Sequence, residues 1–227
     1  MTQRKKVLII GMDGFTWDIG RDLMAEGVMP NLARLVQQGC HGVLRSVIPS
    51  ETAPAWSSFQ TGCRPGKTGI FTFHRYDPVQ KRLRFNSYTD LAVPTLWELA
   101  DQAGKKIVAI NFPMTSPPPK INGVIIPGLL CPSLSAQTVH PSEVYEKYIA
   151  CEPDYKIVDA RPVESVEEFI GRHIRIEQAR MRVGMRLMAE MEWDLFCYEM
   201  QSTDHVQHHF WSALDRTLPN FREENRR

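Results

Sequence analysis

Four short runs along the chain are almost wholly apolar, and segments with helical spacing lie between them. Lys6–Gly11, Lys106–Asn111 and Asp194–Met200 read as buried strands, and Gly123–Ile126 as a short strand. Such β-branched-rich runs, bounded by glycine or polar residues, suit strands covered on both faces. Pro30–Gln38 has apolar residues at helical spacing (Leu32, Leu35, Val36) and stops at Gly39. Helices are also predicted over Pro54–Gln60, Pro94–Ala103, Ser142–Ile149 and His205–Leu214. The longest predicted helix is Val163–Met191, with Phe169, Ile170, Ile174, Met181, Met185 and Met188 among its apolar positions.

The remaining segments read as connections. His41–Val47 alternates like a strand, and Ile48–Ala53 and Gly62–Gly69 read as loops. Ile70–Arg75 and Arg82–Ser87 predict a hairpin around Asp77-Pro78. Four prolines exclude regular structure over Pro113–Pro119. The polar tail Arg216–Arg227 is expected to fray. Strands that alternate with helices predict an α/β fold, three layers deep, with a largely parallel central sheet. No convincing boundary divides residues 1–227, so a single domain is expected.

Composition narrows the function classes. Lys and Arg number 27, Asp and Glu 26, and the net charge is +1. No domain-wide field draws in nucleic acid or an acidic membrane surface. The longest apolar runs fall far short of the roughly 20 residues that span a bilayer. Lys5-Lys6 followed by Val7–Ile10 has the start of a signal peptide, but Gly11-Met12-Asp13-Gly14 ends the apolar run too early. The five cysteines (Cys40, Cys63, Cys131, Cys151, Cys197) are scattered and form no C-x-x-C pair. Neither a disulfide framework nor a zinc knuckle is expected, and a reducing cytoplasm is the expected location.

Candidate chemistry gathers beyond the carboxyl ends of the predicted strands, where open α/β sheets place their sites. Asp13 follows the first strand, and Asp204 follows the strand Asp194–Met200 after a short turn. Each could equally be a cap or turn residue. Asp204 and His208 are four apart and share a helix face, and so do His205 and His209. A carboxylate oxygen and an imidazole nitrogen suit Zn²⁺ or Mn²⁺, and spacing alone does not choose between the two pairs. Thr52 precedes Pro54 at the start of a helix. It reads either as an N-cap or as a hydroxyl beside the positive end of a helix dipole, where an anion would bind.

Four segments together resemble the alkaline phosphatase superfamily, and most closely its type I phosphodiesterase/nucleotide pyrophosphatase branch. They are Val7–Gly14, Ile48-Pro49-Ser50-Glu51-Thr52-Ala53-Pro54-Ala55-Trp56, Thr61-Gly62 and Ser202-Thr203-Asp204-His205-Val206-Gln207-His208. Asn111–Thr115 and Pro127–Leu130 resemble connecting segments of that group. The resemblance runs in order from about Lys5 to about Asp215 and implies an alkaline phosphatase-like fold. It further implies a site with two divalent metal ions, Zn²⁺ or alternatively Mn²⁺. Asp13 and Thr52 would hold one metal, and Asp204 and His208 the other. Thr52 would be the nucleophile in an in-line attack on a phosphate ester or nucleotide, and the phosphoryl group would then pass to water or, in a phosphomutase type, to another acceptor. Asn111 and Lys67 are candidate phosphate-binding residues.

The chain also departs from that family's pattern. It has no Asp-His-Gly, and no histidine follows His209. Each implied metal is therefore short of ligands, and the expectation is an N-terminal part of such an enzyme whose C-terminal ligands are missing. A catalytically incomplete fragment is the alternative reading. Such a fragment would bind metal or phosphate weakly, and would self-associate or pair with a separate second half through exposed apolar surface. Ala55 stands where nucleotide pyrophosphatases carry an asparagine, which puts nucleotide specificity in question. A dinucleotide-binding module fits poorly, because Gly11-Met12-Asp13-Gly14 is not G-x-G-x-x-G and Asp13 would repel pyrophosphate.

Overall fold

The computed structural model describes residues 5–159, 161–162, 165–219 and 221. They form two compact units. The first joins the chain up to Gly11 to Ser46–Met200, and the second joins Met12–Arg45 to the chain from Gln201 onward.

The first unit is built on a four-stranded sheet in the order β1-β6-β4-β5. Its strands are β1 (Val7–Met12), β4 (Ile107–Ile110), β5 (Gly123–Ile126) and β6 (Leu195–Met200). All four apolar runs of the sequence thus become strands of one sheet. β4 lies parallel to both β5 and β6, pairing Val108 with Val124 and with Phe196. Parallel sheets need cover on both faces, which is why β4 is buried at every residue. Gly123 is required at the start of β5, since a Cβ there would overlap the Ile107 carbonyl.

Each sheet face has its own core. On one face Val108, Ile110, Val124, Ile126 and Phe196 pack with Ala179, Val183 and Leu187 of helix α6 (Val166–Glu190). On the other, Ile107, Ala109, Ile125, Leu195 and Cys197 pack with Trp97 and Phe112. Trp97 belongs to α5 (Leu96–Gln102), which starts at a capping box: Glu98 N donates to Thr95 Oγ1 and Thr95 N to Glu98 Oε2. This is the predicted α/β arrangement of a parallel sheet between helices.

α6 carries charge into the interior as pairs. Arg180 donates to Glu177 at 2.8 Å and to the carbonyls of Lys156 and Ile157, and Arg172 meets Asp159 at 2.8 Å. Buried charges are tolerated when paired in this way. Ser165 caps α6 by accepting from Glu168 N. The start of the predicted helix at Val163 lies outside the described residues. So does most of the tail expected to fray, residues 220 and 222–227.

Several boundaries differ from the sequence reading. Helix α3 (Thr52–Thr61) begins two residues before Pro54, with extended Glu51 as its N-cap. Pro54 then falls in the first turn, where a missing N–H leaves no intrahelical bond unmade. The Gly62–Gly69 segment contains a one-turn helix, α4 (Pro65–Thr68). The hairpin forms, with β2 (His74–Asp77) antiparallel to β3 (Arg82–Phe85). Tyr145–Ile149 is a π-helical stretch inside the predicted Ser142–Ile149 helix.

The second unit holds α1 (Trp17–Ala25), α2 (Pro30–Gln38) and α7 (Ser202–Leu214). α1 has no counterpart in the sequence reading, although Thr16 marks its start by accepting from Asp18 N. His41–Val47 is not a strand. Instead, Trp17 Nε1 donates to the Gly42 carbonyl at 2.9 Å, and Val43 and Leu44 stay 74% and 91% exposed. Alternation predicts a strand only where a neighbouring strand completes the ladder. Arg216, just beyond α7, pairs with Asp22 and Glu26 of the α1 segment.

Candidate functional site

Three of the four sequence-predicted metal ligands belong to the second unit. Asp13 follows β1 directly, and Asp204 lies in the first turn of α7 with His208 one turn on. Helical spacing brings Asp204 Oδ1 to 3.3 Å from His208 Nε2. Of the two pairs left open by spacing, His205 and His209 are joined differently: His209 Nδ1 lies 2.9 Å from the His205 backbone carbonyl.

Two side chains that the sequence reading passed over tie Asp13 to the start of α7. Gln201 Nε2 donates to Asp13 Oδ2 at 3.1 Å, and Thr203 Oγ1 donates to the Asp13 carbonyl at 2.7 Å. Gln201 is buried. Gly14 allows the approach, with a φ of +69°. A Cβ on Gly14 would lie 3.1 Å from Asp204 Cα and 3.2 Å from Asp204 Oδ1. The sequence signal was the short interval between the end of β6 and Asp204, which leaves room for polar groups that can reach back.

Burial raises the pKa of the Asp204 carboxyl, and the nearby His208 works against that shift. A carboxylate that pays for desolvation gains from an adjacent cation. The oxygen and nitrogen donors present suit a divalent ion. Among the described residues, no three His, Cys, Asp or Glu side chains gather closely enough to hold a metal by themselves. Asp204 and His208 thus fit part of a coordination shell.

The first unit carries the remaining predicted residues. Thr52 is the first residue of α3, at the end where helical N–H groups lack intrahelical partners. Lys67 is exposed on α4. Asn111 is fully buried after β4, with a φ of +67°. Its Nδ2 donates to Glu199 Oε2 at 2.6 Å and lies 3.2 Å from the Glu199 carbonyl, so its amide joins the ends of β4 and β6. Glu199, also fully buried, is a third residue that the sequence reading did not single out.

No helix among the described residues is long and apolar enough to cross a membrane. No curated protein matches the chain. Among solved structures, phosphonoacetate hydrolase from Sinorhizobium meliloti 1021 in complex with phosphonoformate is similar at 22% identity and a TM-score of 0.63. The match covers 96% of this chain and 49% of that one. An inactive threonine-to-alanine variant of murine ectonucleotide pyrophosphatase/phosphodiesterase 5 in complex with AMP is similar at 15% identity and a TM-score of 0.54, covering 90% and 45%. The human protein of the same name is similar at 15% identity and a TM-score of 0.53, covering 89% and 45%. The chain thus spans about half the length of the solved structures it matches, which share its fold. The family model for type I phosphodiesterase / nucleotide pyrophosphatase matches residues 7–224, and the chain belongs to that family.

Proposed function

We propose that this chain supplies the nucleophile and part of the metal site of a phosphoryl-transfer hydrolase acting on a small phosphate ester, nucleotide or phosphonate. The observation that carries this reading is the tie between Asp13 and the start of α7 through Gln201 and Thr203, one residue before the Asp204–His208 pair. It stands beside a family match over residues 7–224. The similar structures hold phosphonoformate and AMP, which supports a small phosphorus-containing substrate.

In this reading Asp13 and Thr52 hold one divalent ion, and Asp204 and His208 hold a second, Zn²⁺ or Mn²⁺. Bound cations at such a site supply charge neutralisation to the attacking and leaving oxygens. The Thr52 hydroxyl loses its proton and attacks phosphorus in line with the leaving group. The bond from phosphorus to the leaving group, P–O in an ester and P–C in a phosphonate, breaks as the Thr52 Oγ–P bond forms, giving a phosphothreonine; the proton lost by Thr52 passes to solvent, and the leaving group takes one up from solvent. Water then attacks that phosphorus, releases phosphate or its monoester, and returns the hydroxyl. The α3 N-terminus favours the anionic substrate through its dipole. Lys67 is the proposed cationic contact to a phosphate oxygen, while Asn111 supports the carboxyl end of the sheet through Glu199.

The test is metal content by elemental analysis together with hydrolysis of a p-nitrophenyl phosphodiester and of phosphonoacetate. Thr52→Ala is expected to abolish turnover while leaving metal binding largely intact, with the ion at Asp204 and His208 unaffected. Turnover that survives Thr52→Ala would overturn the role of Thr52.

The incomplete-fragment reading also has an observation in its favour, since no described group of three donors holds a metal. It predicts weak metal binding and no turnover by the 227 residues alone, with activity restored by a complementary polypeptide.

A further inference from the structure

The residues that follow β4, Asn111–Met114, grip α3 at successive points. Met114 shares a core with Ala53, the residue after Thr52. The ring of Phe112 lies 5.3 Å from that of Trp56 and 5.7 Å from that of Phe59. The Pro113 carbonyl accepts from Gln60 Nε2 at 2.6 Å, and Gln60 Oε1 accepts from Trp97 Nε1 at 3.2 Å. Ala53, Trp56 and Gln60 are three and four apart, so the grip runs along one face of the helix that begins at Thr52. Asn111 and Met114 have left-handed φ values of +67° and +62°. Such residues keep that backbone only where their surroundings over-determine it. Backbone bonds fix the loop from the β5 side: Asn111 N donates to the Ile126 carbonyl at 2.8 Å and Met114 N to the Leu129 carbonyl at 3.2 Å. From the β6 side the tie is a side chain. Asn111 Nδ2 donates to Glu199 Oε2 at 2.6 Å, and both residues are fully buried. Ile110 pairs with Tyr198, so Asn111 and Glu199 stand one step beyond the end of the β4–β6 ladder. A carboxyl group at that depth costs more than an apolar side chain, and the reaction sequence above gives it no task.

We infer that Glu199 is a positioning residue for Thr52, acting through the Asn111 amide and the Asn111–Met114 loop. The carboxyl group and the amide together hold the left-handed turn at Asn111. The turn sets where Phe112 and the Pro113 carbonyl stand. Those two groups and Met114 set the height and rotation of α3 against the sheet. The Thr52 hydroxyl follows, because Thr52 is the first residue of that helix. The importance of that placement for turnover rests on the function proposed above, whereas the link from Glu199 to the start of α3 does not.

The test places a thiol at the start of α3 by Thr52→Cys and follows its alkylation by iodoacetamide through peptide mapping, at equal metal content. The rate is compared with those after adding Asn111→Gly, Glu199→Met or Glu199→Gln. Glycine adopts a φ of +67° readily, so Asn111→Gly removes the amide without opposing the turn. Asn111→Gly and Glu199→Met should each alter the alkylation rate while circular dichroism shows the fold retained. Glu199→Gln keeps an acceptor for Asn111 Nδ2 and should restore the rate toward the starting value. With Thr52 in place, the same two disruptive substitutions should lower kcat on a p-nitrophenyl phosphodiester by about tenfold to a hundredfold with KM held, the loss that a small displacement of a reacting group brings. A rate that neither disruptive substitution alters would overturn the inference, and so would an unaltered rate in Asn111→Gly alone should Glu199→Met fail to fold. Altered alkylation together with turnover that survives Thr52→Ala would support the link and overturn the catalytic reading, so the two failures are read separately.

Discussion

Gln201 Nε2 and Asp13 Oδ2 lie 3.1 Å apart although 188 residues separate them in the chain. The bond holds one carboxylate oxygen of Asp13 with a buried amide, and Thr203 holds the backbone of the same residue. Groups that orient a metal ligand, the role proposed above for Asp13, typically change metal affinity by about 10–100-fold when removed. Gln201→Ala is therefore expected to weaken Zn²⁺ or Mn²⁺ binding by about tenfold or more. Calorimetric titration of both metals against the wild type checks this. Equal affinities would show that Asp13 needs no such support.

Gly14 is where backbone conformation and close approach coincide. An alanine at its φ of +69° costs about 1–2 kcal/mol from the left-handed backbone alone. Its Cβ would also press on Asp204 at 3.1–3.3 Å. Gly14→Ala should lower the denaturation midpoint and weaken metal binding together. A stability loss with intact metal binding would show that Asp204 tolerates the shift.

Asp90 anchors the β2–β3 hairpin. It accepts from Arg84 Nη1 and Nη2 at 2.6 Å each, from Arg75 at 2.8 Å, and from Ser87 N at 2.9 Å. The hydrogen bonds from Arg84 hold its pKa well below the usual carboxylate value of 3.8, against an opposing effect of burial. A depressed folded-state pKa stabilises the fold above the unfolded value, and that contribution fades as pH falls from near 4 toward the folded value. Asp90→Asn should lower the melting temperature at pH 7, and the gap to wild type should narrow steadily below pH 4. A gap that does not change with pH would mean that the carboxylate charge contributes nothing.

Burial pushes the Cys197 thiol of β6 up to about 12, and its side chain is sealed in the core that holds Trp97 and Phe112. Cys40 and Cys151 are exposed. An aromatic disulfide reagent at pH 8 should modify Cys40 and Cys151 quickly in the folded protein and Cys197 only after unfolding, because the thiolate is the reacting form. Peptide mapping of the labelled sites distinguishes them. Rapid native labelling of Cys197 would contradict the packing of β6.

The sheet was legible in the sequence because a strand buried on both faces must be apolar at every position. Lys106–Asn111, Gly123–Ile126 and Asp194–Met200 show that signature, and each contains a strand. Helical spacing brought Asp204 and His208 onto one face, as it did His205 and His209, and only the family resemblance chose between the two pairs. His41–Val47 misled because alternation is a property of one segment, while a strand needs a neighbour. α1 was missed because its start rests on a single capping threonine at Thr16.

The chain by itself thus determined most element types and the parallel α/β class, and its resemblance to a family pointed to the four residues on which a metal and nucleophile reading rests. The element types and the class follow from local periodicity, which is present in any conformation. Only the tertiary structure decided that Gln201 and Thr203 hold Asp13, that Gly14 admits Asp204, and that Asn111 is buried against Glu199. It also decided that β1, apolar enough for the middle of a sheet, stands at its edge. Each of these is a contact between residues distant in sequence. No pattern of neighbouring residues encodes such contacts, because their distances exist only once the chain has closed on itself.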